Sequence, residues 1–71
     1  MFLVCVIYPI AEYGDSRERK LLKAAGRRSD RSQTDASSRI LQWLTEEFDA
    51  AVELRKRLAA VPGVTASLRE E

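Results

Sequence analysis

The sequence predicts an α+β fold, a βαββαβ plait with a weak or missing second strand. Three observations carry that prediction. Residues 2–8 form an apolar run of β-branched and aromatic side chains. Two segments with helical spacing follow, one closing at Gly26 and the other at Pro62-Gly63. Beyond each of them the chain turns to strand character again, and strand, helix, loop, strand, helix, strand is most of such a plait.

The run Phe2-Leu3-Val4-Cys5-Val6-Ile7-Tyr8 is apolar at both parities, the pattern of a central strand covered on two faces. Pro9 cannot donate to a ladder and ends it. Gly14-Asp15-Ser16 punctuates the chain, and Asp15 or Ser16 can accept from the free N–H groups of a first helical turn. A short helix follows over 17–25, with Leu21, Leu22, Ala24 and Ala25 as its stripe and Gly26 as its left-handed cap.

Residues 27–38 (RRSDRSQTDASS) hold no large apolar side chain and predict a flexible polar loop or, at most, a solvated edge strand. Residues 39–45 admit two assignments. Ile40, Leu41, Leu44, Phe48, Ala51 and Val52 recur at helical steps, so 36–60 could be one long helix; as a strand, Ile40 and Leu44 oppose Leu41 and Trp43. Capping chemistry favours the strand. Thr45 is a good N-cap, Glu46, Glu47 and Asp49 suit the positive end of a helix dipole, and Arg55, Lys56 and Arg57 suit the other end. That brackets a helix at 46–60 with a core face of Phe48, Ala51, Val52, Leu54, Leu58 and Ala59. Residues 64–69 then alternate as an exposed edge strand. Right-handed crossovers put strands 2–8 and 39–45 in the centre, with 64–69 beside the first. The fourth place falls to a weak pairing of 28–34, to a partner chain, or to nothing.

Residues 48–64, FDAAVELRKRLAAVPGV, resemble the second half of ferredoxin-like βαββαβ modules, where an amphipathic helix ends in a valine-proline-glycine-valine turn. Small regulatory domains of the ACT type and heavy-metal-associated domains share that cadence. The first resemblance implies ligand binding at a dimer interface. The second would need a Cys-x-x-Cys pair after the first strand. Here that stretch is Pro9-Ile10-Ala11-Glu12-Tyr13-Gly14 and the only thiol, Cys5, is mid-strand, so metal carriage is not expected and no cofactor is implied.

A chain of 71 residues predicts one small domain with a thin stability margin. It has one cysteine and no histidine, so neither an internal disulfide nor the commonest metal ligand can staple it. Self-association as a homodimer or larger homo-oligomer is the expected remedy, with Trp43 and Leu41 as interface anchors. The apolar opening run is too short to span a bilayer and lacks the flanks of a signal peptide, so a cytoplasmic location and no membrane partner are expected.

Four features invite a site. Tyr8, Glu12, Tyr13 and Asp15 lie where the first strand feeds a helix N-terminus, which can offer N–H groups and two aromatics to a small ligand; the plainer account is that the tyrosines cover the sheet end and Asp15 caps the helix. Arg17, Lys20, Lys23, Arg27, Arg28 and Arg31 form a basic stretch able to neutralise phosphates, although Glu18, Asp30 and Asp35 interrupt it and no aromatic interleaves it. Cys5 has no histidine for a base and is better explained as a buried thiol. Trp43 fits equally an interface or a sheet under a helix. No catalytic constellation is present: without histidine neither a Ser-His-Asp nor a Cys-His arrangement can form. The leading expectation is a small non-catalytic homo-oligomeric module that binds a partner protein or small ligand. The alternatives are a nucleic-acid-binding module using the basic 17–31 region, and an enzyme with an inter-subunit site.

Overall fold

The computed structural model of the chain describes residues 1–10 and 16–71. Its elements run β1 (Phe2–Pro9), α1 (Arg17–Ala25), β2 (Arg31–Thr34), β3 (Ser38–Thr45), α2 (Phe48–Ala59) and β4 (Thr65–Glu70). The strands make one four-stranded antiparallel sheet in the order β2-β3-β1-β4. Among the described residues no helix is long and apolar enough to cross a membrane.

The β1–β3 ladder runs from Phe2 opposite Thr45 to Pro9 opposite Ser38, and the β1–β4 ladder from Phe2 opposite Glu70 to Ile7 opposite Thr65. Side chains alternate across a strand, so Val4, Val6 and Tyr8 of β1 share a face with Leu41 and Trp43 of β3. Both helices pack there. Leu21 of α1 and Ala51, Leu54 and Leu58 of α2 join those strand residues and Val61 in one core. The long-helix alternative for 36–60 is thereby excluded: Trp43 and Leu41 lie in the central ladder.

Helix α1 spans 17–25 as the sequence predicts. Gly26 closes it at φ 78°, its N–H donating to the Leu22 and Lys23 carbonyls at 3.0 and 3.2 Å. Ser16 stands at the N-cap without a side-chain hydrogen bond, and Asp15 lies outside the described residues.

Three outcomes bear on these expectations, the last two as corrections. First, of the alternatives left open for 27–38 the weak edge strand is the one present: the stretch contains strand β2, so the fourth place in the sheet is filled from within the chain. All four of its residues are exposed, and a strand at a sheet edge with nothing to bury leaves no hydrophobic signature. Second, α2 begins at Phe48 rather than at residue 46. Thr45 is held opposite Phe2 as the last residue of β3, and its hydroxyl donates to the Glu47 carbonyl at 3.2 Å instead of capping the helix. Glu47 takes the N-cap place, in extended conformation and without a side-chain cap. The core face narrows accordingly: Val52 is half-buried, Ala59 is exposed, and Phe48 meets Phe2 edge-on at 5.3 Å while remaining 55% exposed. Third, Trp43 and Leu41 are not apolar surface in need of a partner. They are 0% and 1% exposed within the chain, under the helices.

Candidate functional site

At the end of β1 next to α1, Tyr8 is buried and Arg17 lies over its ring, the guanidinium carbon 4.9 Å from the centroid. Arg17 also donates to the carbonyls of Pro9 and Gly63, tying the start of α1 to the turn before β4. Beside this lies a depression of about 280 Å³ lined by Tyr8, Ile10, Glu18, Thr34 and Arg39. Arg39 is fully engaged at its wall. Its Nε and a terminal nitrogen meet Glu18 Oε1 at 2.9 and 2.8 Å, and the other terminal nitrogen donates to Thr34 Oγ1 at 2.7 Å. Of the four residues that the sequence nominates for a ligand, Tyr8 is therefore present, stacked and buried. Glu12, Tyr13 and Asp15 lie outside the described residues. Arg39, Glu18 and Thr34 had no signal in the sequence, because the Thr34–Arg39 pairing that joins them belongs to strand β2, which the sequence left as one alternative for a polar stretch.

The basic residues do not gather. Lys20 and Lys23 are exposed on α1, Arg17 is tucked against Tyr8, and Arg28 is exposed after the helix. Arg27 is structural. It pairs with Asp30 at 2.9 Å and donates to the Leu44 carbonyl at 2.8 Å, while its own carbonyl accepts the Trp43 indole N–H at 3.3 Å. Arg31 sits on the opposite side of the sheet from α1, in register with Gln42 and 3.8 Å from Glu71. A second depression, of about 290 Å³, lies between the end of α1 and α2, and its cations are paired too: Arg27 with Asp30, and Arg57 with Glu53 at 3.6 Å. Among the described residues no three cysteine, aspartate or glutamate side chains come together as a cation site.

The feature that the sequence missed is the second face of the sheet. An apolar run at both parities predicts layers on both sides of β1, but the helices cover one side only. Leu3, Cys5 and Ile7 of β1 and Ile40, Gln42 and Leu44 of β3 share the other face, with Arg31 and Gln33 on the β2 margin and Thr65, Ser67 and Arg69 on the β4 margin. The face divides in two. Toward the start of β1, Arg31 of β2 pairs with Glu71 beyond the end of β4 at 3.8 Å, and Arg69 joins Glu71 at 3.7 Å. Leu3, on this half, is only 1% exposed. Toward the end of β1, in the row Gln33–Ile40–Ile7–Thr65, no charged side chain stands on the face among the described residues. Ile7 is 43% exposed there, Ile40 and Cys5 are half-buried, and the Gln42 amide lies 3.8 Å from the Cys5 sulfur. Alternation within residues 2–8 carries the signal for this face; what it lacks is which parity the helices take.

No protein-family model matches this chain, and no curated protein or solved structure matches it.

Proposed function

We propose that this chain is a small non-catalytic association module, a ferredoxin-like βαββαβ plait that acts as a homo-oligomer and binds its partner through the uncovered sheet face. The observation that carries this is the composition of that face: an apolar centre at Ile7 and Ile40 inside a polar margin of Gln33, Thr65 and Ser67. Apolar centres with polar rims are the anatomy of protein interfaces. The element and strand orders support the plait. The unpaired Cys5 suits a reducing cytoplasm.

Dispersal of the basic side chains over both sides of the sheet speaks against a nucleic-acid surface. An NMR titration of the labelled chain with anilinonaphthalene sulfonate as an apolar probe tests the assignment. Amide shifts concentrated at residues 5, 7, 40 and 42 are expected. Shifts centred instead on Ala50, Glu53 and Arg57 overturn it.

A further inference from the structure

We infer that a second copy of this chain pairs with the open edge of β4, antiparallel across a two-fold axis at Ser67, so that α2 packs beside the α2 of the partner. The inference rests on the homo-oligomer proposed above and names its joint. It leaves the uncovered sheet face free.

Main-chain geometry supplies the first argument. β4 is an edge strand of six residues, whereas β2 at the other edge has four. The Glu71 N–H donates to the Met1 carbonyl at 2.9 Å, in step with the β1–β4 register. Main-chain groups alternate across a strand, so residues 65, 67 and 69 bond to β1 while those of Ala66, Leu68 and Glu70 point outward. Among the described residues no hydrogen bond reaches these outward groups. Such an edge accepts a further strand.

Helix α2 supplies the second, and it selects a whole copy over a bare peptide. Helix α1 lies on the β3 side of α2, tied to β3 through Glu18–Arg39 and Arg27–Leu44. Ala50, Glu53 and Arg57 of α2 line the depression on that side. At about 3.6 residues per turn the opposite flank, toward the β4 edge, holds Phe48, Val52, Arg55 and Ala59. Phe48 and Ala59 are exposed there, and Val52, Ala66 and Leu68 are half-buried. Because α2 packs equally on β1 and β4, its axis stands about half a strand spacing inside β4. Pairing two β4 strands at about 4.8 Å brings the two α2 axes roughly 10 Å apart, the spacing of packed helices. An extended peptide would fill the edge and leave this flank bare. Arg55 is long enough to carry its guanidinium out to water.

Charge fixes the register. Residues 58–68 hold no charge, and Arg69, Glu70 and Glu71 follow. With Ser67 on the axis, Ala66 and Leu68 exchange main-chain bonds with the partner's Leu68 and the partner's Ala66. Arg69 then stands opposite the partner's Thr65 and Glu70 opposite the partner's Val64, so no charge faces its like. An axis at Arg69 would set arginine on arginine, and one at Leu68 would make the two Arg69 side chains diagonal neighbours. A seam one strand long is small, so the dimer is weak and reversible.

Sedimentation of the unmodified chain from roughly 20 µM to 1 mM should show the mass rise from monomer toward dimer. Thr65 is exposed, so Thr65→Glu, set against Arg69, should move association to several-fold lower concentration and Thr65→Arg to several-fold higher. Cys5 lies opposite Ser67 within the chain, so Ser67→Cys is made in a Cys5→Ser background. It should cross-link into a disulfide dimer on mild oxidation, because a pair without direct hydrogen bonds brings its side chains closest. Circular dichroism checks that each variant folds. A monomer at every concentration overturns the second copy and the homo-oligomer with it. A dimer indifferent to both Thr65 variants and without the cross-link is joined elsewhere, which overturns the β4 seam alone. Opposite responses of the Thr65 variants would set Thr65 against the partner's Glu71 and overturn the register. The probe titration reads the sheet face independently of all three.

Discussion

The Asp30 carboxylate is a backbone substitute at the edge of β3: Oδ2 accepts the Leu44 N–H at 2.7 Å, where β2 has not yet begun to pair. The Asp30 N–H meanwhile donates to the Gln42 carbonyl at 2.8 Å, and Arg27 reaches the same carboxylate. One short segment thus satisfies the β3 edge beyond the end of β2. The Leu44 N–H bond first, and then Arg27, hold the Asp30 carboxyl below its ordinary value.

Asp30→Ala should therefore destabilise the chain by about 1 kcal/mol, below the usual worth of a bond to a charged group because the carboxylate is partly exposed. Asp30→Asn, which keeps an acceptor, should cost less. A carboxyl whose pKa is depressed by folding contributes stability that is fully present above its unfolded value near 4 and is lost as pH falls through the lower folded value. Denaturant melts of the native chain should lose stability below about pH 4, and the Asp30→Ala chain should lose less of it. Equal losses in both would show that Asp30 is not the titrating group.

Gly26 and Gly63 both sit at positive φ, 78° and 80°, but only one is crowded. A Cβ at Gly26 meets nothing within 4 Å, whereas one at Gly63 meets the Arg17 guanidinium at 3.0 Å. Gly26→Ala should cost about 1 kcal/mol of backbone strain. Gly63→Ala should cost that and somewhat more. The excess should vanish in an Arg17→Ala background, which a double-mutant cycle measures directly; an excess that persists there would mean that the Arg17 contact is not its cause.

Thr45→Val keeps the branched strand residue opposite Phe2 and removes only the hydroxyl. Because that hydroxyl donates to Glu47 rather than accepting from a helix N–H, the change should stay within about 0.5 kcal/mol. A loss of about 1 kcal/mol or more would restore Thr45 as a cap.

Trp43 should be shielded at every concentration, since its shelter is the chain's own helices. Its emission should be blue-shifted and resist iodide quenching equally when dilute and concentrated. Trp43→Ala should cost about 3–5 kcal/mol, enough to unfold much of so small a domain. A quenching constant that rises on dilution would mean that a partner chain supplies the shelter.

Legibility in the sequence followed the range of the forces involved. Tyr8 could be nominated because it ends an apolar run, but Glu18, Thr34 and Arg39 are brought to it by three different elements. None of them carries a local mark. The Arg27–Asp30 clamp was likewise hidden: its residues look like any polar loop until Leu44 is placed against them.

What the sequence by itself determined is local. The both-sided apolar run of β1, the limits of α1 with its glycine cap and the stop of α2 before Pro62-Gly63 all rest on short-range backbone preferences and alternation. Tertiary structure decided the rest. It made a strand of Arg31–Thr34 through hydrogen bonds to β3 alone, kept Thr45 in the sheet and delayed α2, and put both helices on the Val4–Val6–Tyr8 side of β1. Burial on one face of a sheet depends on where other elements close over it, and a strand apolar at both parities is compatible with either choice. The helices took the parity that also buries Trp43, the largest side chain, and Ile7 and Ile40 were left on the side that they do not reach.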